Sequence, residues 1–262
     1  MHRVAFLIAI ILVLSGCRNE ETSSIVLRAD FRPLFEAHQV EGSILIYDLR
    51  EDTFTGYNAE RFETAYVPAS TYKIFNSLVA LETGVLADEN EVIPWDGKER
   101  AWDMWNQDHT LRSALKYSAV WFYQEVARRV GEERMQHYVD AAGYGNQDIS
   151  GGIDMFWLGG GLRITSAQQI DMLRRLYHND LPFSQRTMGI VKDILILEET
   201  DDYVLQGKTG WHDQTGWLVG YLEQNENVYF FATTVAIMKS EDSRAREAVT
   251  RDVFKHLGLM GS

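Results

Sequence analysis

Two β-rich runs stand near the start of the chain, Ser43 to Leu49 and Thr53 to Tyr57. Arg50-Glu51-Asp52 between them reads as a turn, so the pair reads as antiparallel strands. Ala29 to His38 has the spacing of a short amphipathic helix. From Ser70 to Thr83 the chain is apolar on most sides (Tyr72, Ile74, Phe75, Leu78, Val79, Leu81) and stops at Gly84. An all-round apolar helix belongs in a core, and glycine is a good C-terminal stop. Ile93 to Asp108 is rich in Trp and poor in periodicity, which predicts irregular structure. Leu111 to Val130 carries apolar positions at helical spacing and predicts one helix ending at Gly131. Glu132 to Ala142 predicts a second, ending at Gly143. Ser166-Ala-Gln-Gln169 reads as the capping-box start of a third, running to His178. Between the last two, residues 146–163 hold Gly151-Gly152 and Gly159-Gly160-Gly161, a loop with unusual backbone demands.

A further helix after about Ile190 leads to three β-rich runs, Tyr203 to Lys208, Thr215 to Glu223 and Val228 to Met238. Asn225-Glu226-Asn227 marks the turn between the last two. Ala245 to Leu257 closes the chain as a helix. The order is two strands, a helical block, three strands and one helix. It predicts an α+β sandwich, with an antiparallel sheet built from both chain ends and a helical subdomain inserted over about residues 76–185. The chemistry belongs at the seam between the two parts.

Length and composition fit one such domain over residues 25–262. The 262 residues are 45% apolar, enough for a sizeable core. Net charge is −13, with both signs interspersed and no basic stripe, so nucleic acid is not an expected partner. The single cysteine excludes an internal disulfide.

That cysteine lies in a processing segment. Met1-His2-Arg3 is a short basic start, and the apolar run Val4 to Leu14 falls short of the ~20 residues needed to span a bilayer as a helix. Leu14-Ser15-Gly16-Cys17 resembles a bacterial lipoprotein cleavage box. The expectation is a signal peptide over residues 1–16, a lipid on Cys17, a polar tether over residues 17–24 and an exported, membrane-held enzyme. An ordinary signal peptide with an incidental cysteine is the alternative.

The candidate chemistry begins at Ser70 and Lys73. Residues i and i+3 share one helix face, so hydroxyl and amine can meet. A lysine in the first turn of a core helix also calls for an explanation, because an unpaired buried ammonium is costly. On its own Ser-x-x-Lys is also the pattern of a helix-capping serine with a surface lysine. Three triplets follow in order: Ser118-Ala119-Val120, Tyr144-Gly145-Asn146 and Lys208-Thr209-Gly210.

Together with Phe156-Trp157-Leu158, this ordered set resembles the class D serine β-lactamases, the oxacillinase group, from about Ser24 to Leu259. The resemblance implies the β-lactamase/transpeptidase fold and an acyl-enzyme route to β-lactam hydrolysis, penicillins first. Ser70 is then the nucleophile. Its own N–H is free of the helix ladder and, with the N–H of Trp211 past Gly210 on a strand edge, would form the oxyanion hole. Lys73 is the base. A free lysine titrates near ~10.4, and apolar surroundings lower that. The family's device is a carbamate made from Lys73 and carbon dioxide, held by the Trp157 indole N–H under an apolar lid of Val120 and Leu158. Ser118 would relay protons between Ser70 and Lys208. Lys208, Thr209 and Arg246 would face the substrate carboxylate. The absence of a Glu-x-x-Leu-Asn stretch between Ser118 and Lys208 fits a lysine-derived base.

Several alternatives stay open on sequence. Arg244, Arg246 and Arg251 could all lie on a solvated helix face. Trp105 fits an entrance wall or simple packing. Tyr144 and Asn146 read as turn-shaping. His109, His137, His178 and His212 lack ligand spacing, so no metal is expected. Only Trp211-His212-Asp213-Gln214 separates Gly210 from Thr215, a short connection that leaves the site's edge open. A β-lactam sensor domain and a penicillin-binding transpeptidase are the rival readings.

Overall fold

The computed structural model describes residues 25–261. The signal peptide, Cys17 and the tether lie outside the described residues. Among the described residues no helix is long and apolar enough to cross a membrane.

A seven-stranded sheet forms the scaffold. Its strands are β1 (Ile25–Leu27), β2 (Gly42–Asp48), β3 (Thr53–Tyr57), β6 (Ile196–Glu199), β7 (Tyr203–His212), β8 (Thr215–Gln224) and β9 (Asn227–Ala236). They lie in the order β1-β3-β2-β9-β8-β7-β6. Strands from both chain ends meet where β2 pairs antiparallel with β9. The expected five strands are therefore present, with corrections: two edge strands, β1 and β6, join them, β1 runs parallel to β3, and the helix expected after about Ile190 instead covers Gln185–Ile194 and is followed by β6. A three-residue edge strand carries too little pattern to be read from sequence. The turn between β8 and β9 is a two-residue loop, Asn225 (φ 51°) and Glu226 (φ 59°), the doubly left-handed form that suits the strands' twist.

Helices cover both faces. α1 (Arg32–Ala37) and α9 (Ala245–His256) pack on one, burying Phe31, Phe35, Phe231, Val249 and Phe254. On the other face stand α2 (Ala59–Glu63), α3 (Lys73–Glu82), α4 (Leu111–Tyr117), α5 (Val120–Val130), α6 (Glu132–Ala142), α7 (Ser166–Tyr177) and α8 (Gln185–Ile194), around the larger core. α3 is buried along nearly its whole length, as its all-round apolar pattern requires.

Three local differences from the sequence reading matter. The expected single helix over 111–130 is two, because Ser118 is left-handed (φ 55°, ψ 37°) and Ala119 extended. The apolar spacing continues across this break, so periodicity could not reveal it. The capping box of α7 sits one residue earlier than expected, with Thr165 receiving the Gln168 N–H and Gln168 answering. The Trp-rich stretch contains a short strand pair, β4 (Val92–Ile93) with β5 (His109–Thr110), and a 3-10 turn at Asp103–Trp105.

Candidate active site

Ser70 lies in a 3-10 turn, Ala69–Tyr72, that leads directly into α3. In such a turn, side chains three apart eclipse one another. This places Lys73 Nζ 2.7 Å from Ser70 Oγ. The turn is backed from several sides. Ala69 holds a positive φ of 50°, the left-handed region that favours glycine. Thr71 Oγ1 donates to Pro68 O (2.8 Å) and accepts from Gln169 Nε2 of α7 (2.8 Å). Trp217 of β8 donates its indole N–H to Val67 O (3.0 Å). Gln169 and Trp217 were not singled out on sequence. The available signal was a polar residue on the inward stripe of a helix, which periodicity treats as noise.

The left-handed kink at Ser118 aims two oxygens at the same amine. Lys73 Nζ lies 2.8 Å from Ser118 O and 2.9 Å from Ser118 Oγ. Lys73 is 0% exposed, and among the described residues the amine's only other hydrogen-bond partner is Ser70. No carboxylate pairs with it among the described residues. Burial, and secondarily the nearby Lys208 charge, hold the amine well below the usual lysine range. A neutral amine beside a serine hydroxyl can accept its proton.

Trp157 is fully buried, and its indole N–H finds no acceptor. A buried donor without a partner is uncommon and costly. It is a free donor for an acceptor oxygen. Val120 and Leu158, the expected lid, are both half-buried.

Lys208 and Thr209 lie on β7. Gly207 of that strand donates its N–H to Leu195 O, outward from β8. Backbone groups alternate along a strand, so the N–H groups of Thr209 and Trp211 face the same edge. β6 pairs only with residues 204–206 of β7 and leaves that edge open at Trp211. Ser70 N–H has no backbone acceptor. The two expected oxyanion donors are thus both uncommitted. Lys208 Nζ donates to Thr209 O (3.1 Å) and no hydrogen bond joins it to Ser118. Burial first, and Arg246 second, bring Lys208 down to about 7.

The three arginines separate cleanly. Arg251 is paired with Glu198 (2.5 Å), and Arg244 is exposed. Arg246 alone leans over β7, its Nη1 3.4 Å from Gly210 O and its buried Nε without an acceptor. A guanidinium with spare donors beside Lys208 has the chemistry to bind a carboxylate. Trp105 is tied to Tyr117 O (2.9 Å) and, through its carbonyl, to the Trp121 indole (2.7 Å). Asn146 staples the glycine-rich loop, donating to Gly161 O and accepting from Arg163 N. Gly145 (φ 56°) is required because a Cβ there would strike Arg163 O. Tyr144 packs edge-on against Tyr72 at 5.4 Å. His109 is engaged by Ser113 and Met104 O, and the described residues contain no metal-holding cluster.

The family model for the penicillin-binding protein transpeptidase domain matches residues 26–255. The chain is 43% identical to β-lactamase OXA-48 of Klebsiella pneumoniae over 84% of its length and 85% of the relative's. It is 40% identical to the probable β-lactamase YbxI of Bacillus subtilis, over 87% and 85%. Among solved structures, the class D β-lactamase YbXI from Nostoc superposes with a TM-score of 0.86 at 50% identity, covering 88% of this chain and 99% of that one. FUS-1 (OXA-85) from Fusobacterium nucleatum subsp. polymorphum gives 0.86 at 38% identity, over 89% and 99%. With this sequence, sheet order and Ser70–Lys73–Ser118 cluster, the chain belongs to the class D β-lactamases of the penicillin-binding protein transpeptidase family.

Proposed function

We propose that this serine β-lactamase opens the β-lactam amide with Ser70 as nucleophile and Lys73 as the base in both half-reactions. The carrying observation is the dry Lys73 amine, 2.7 Å from Ser70 Oγ with no acidic partner among the described residues. Ser70 gives its proton to the base as Oγ bonds to the lactam carbonyl carbon. The developing oxyanion lies against the N–H groups of Ser70 and Trp211. When the C–N bond breaks, Ser118 Oγ passes a proton to the leaving nitrogen and recovers one from Lys73, 2.9 Å away. Lys208, Thr209 and Arg246 hold the substrate carboxylate. Deacylation reverses the roles: the base takes a proton from water, and Ser70 regains its own.

Carbon dioxide bound to Lys73 Nζ would supply an anionic oxygen as that base. The residues fit it. Burial holds the Lys73 amine well below the usual lysine range, the Trp157 indole N–H has no acceptor among the described residues, and Val120 and Leu158 are half-buried. Penicillins are the first substrate class. The enzyme is exported, and a lipid on Cys17 holds it at a membrane.

A chromogenic cephalosporin tests the reading. Continuous turnover, abolished in Ser70→Ala, is expected. One equivalent of product followed by a stable adduct would make the protein a β-lactam receptor instead.

A further inference from the structure

Tyr72 sits between the nucleophile and the base in sequence and is 0% exposed. Its ring stacks on Trp157 at 5.4 Å and 24°. Phe156 and Tyr144 close on it edge-to-face at 5.0 and 5.4 Å. A buried phenol needs a hydrogen-bond partner. The one it has is the thioether of Met135 on α6, 3.0 Å away and itself fully buried. Thioether sulfur is a weak acceptor, yet it fixes the far end of the ring. The near end is fixed by the chain at Lys73.

We propose that Tyr72 and Met135 are positioning residues: the O–H···S contact sets the plane of Tyr72, and the Tyr72 ring sets the plane of Trp157 and so the direction of its unpartnered indole N–H. The proposal rests on the reading that this N–H serves carbon dioxide on Lys73. Among the described residues, the aromatic partners of Trp157 are Tyr72 and Phe156. Its N–H has no acceptor that could orient it. The stacked Tyr72 ring supplies the flat surface against which the indole plane is set. The phenol itself stays protonated, since burial raises it far above its ordinary value.

The two partners can be removed separately. Met135→Leu keeps the volume but leaves the phenol without an acceptor, so the ring must shift to find one. Tyr72→Phe with Met135→Leu removes both polar atoms and leaves an apolar stack. The measurement is ¹³C NMR of each folded protein titrated with labelled bicarbonate at fixed pH, with thermal melts and kcat against KM alongside. Met135→Leu should weaken carbon dioxide uptake about tenfold, the scale of one misdirected hydrogen bond. It should lower kcat at ambient carbon dioxide, leave KM nearly unchanged, and recover kcat at high bicarbonate. The double variant should return close to wild type.

Uptake equal to wild type in Met135→Leu, with only the melting temperature lowered, would overturn the positioning role and leave the carbamate reading intact. A double variant as poor as the single would also overturn it. No lysine-bound label in the wild type would overturn the carbamate reading, and this inference with it.

Discussion

Gly210 is packed directly against Thr71, the residue next to the nucleophile. A Cβ on Gly210 would stand 2.9 Å from Pro68 O, 3.0 Å from Thr71 Cγ2 and 3.2 Å from Thr71 N. The strand that carries Lys208 and Thr209 is thus seated on the turn that carries Ser70, with no room between them. The spacing between the Ser70 turn and the strand of Lys208 and Thr209 is set by this absence of a side chain. Gly210→Ala should push the turn and β7 apart while the fold persists. A displacement approaching 1 Å costs about 10²-fold in rate. The check is kcat/KM for a penicillin beside a melting curve: a large fall in the first with a small fall in the second.

Ser118 offers a second test, because its hydroxyl and its backbone do different work. Ser118→Ala and Ser118→Gly both lose the Oγ that faces Lys73. Both should lose about 10²–10⁴-fold in kcat/KM, the usual worth of a positioned proton carrier. They should differ in stability. The position is left-handed, where a Cβ costs about 1–2 kcal/mol, so the glycine variant should melt higher than the alanine variant. Equal melting temperatures would mean the kink is imposed entirely by its neighbours.

Much of this site was readable in advance, and the reasons are physical. Ser70, Lys73 and Lys208 lie in short motifs whose spacing survives any packing detail. The sheet's two-ended construction followed from the order of β-rich runs. The misses share a different cause. The break at Ser118 and Ala119 is a two-residue change of backbone inside an uninterrupted apolar pattern. β1 pairs through three residues, too few for a period. Gln169, Trp217 and Met135 act through one hydrogen bond each to the catalytic turn or its neighbours. Local sequence does not encode such contacts, because each partner is far away along the chain. Arg246 was named ahead of Arg244 and Arg251 by resemblance alone; the structure adds a physical reason, since Arg251 is bound to Glu198.

The pH behaviour follows from two buried amines. Lys73 is held low by burial, so activity should fall on the acid side as its amine gains a proton and can no longer hold carbon dioxide. Lys208, at about 7, lies below its unfolded value near ~10.4. Between those limits the unfolded chain binds more protons than the folded one, so this group's contribution to stability rises with pH. From pH 7 to 9 the wild type should gain on Lys208→Met by roughly 1 kcal/mol per pH unit, read from urea midpoints. A constant difference across that range would contradict the assignment.

Arg246 has a buried Nε without an acceptor and a distant, weak contact to Gly210 O. Arg246→Ala should raise KM for penicillins about tenfold or more, a charge-assisted hydrogen bond being worth ~1.5–3 kcal/mol. Deacylation should change little. A penicillin methyl ester, which lacks the carboxylate, should show no such sensitivity. Equal losses for acid and ester would remove Arg246 from the carboxylate site.

Cys17 gives a prediction independent of the site. Labelled palmitate should enter the wild-type precursor and fail to enter Cys17→Ala. Labelling that survives the substitution would end the lipid-anchor reading.

The central claim is that Lys73, loaded with carbon dioxide, is the base that frees Ser70. Enzyme stripped of carbon dioxide at low pH and returned to neutral, gas-free buffer tests it most directly, with penicillin progress curves followed as bicarbonate is added back. The account predicts an initial acylation followed by slow turnover without bicarbonate, and linear, faster turnover with it, in wild type but not in Lys73→Ala. Identical full-rate curves with and without bicarbonate would contradict it.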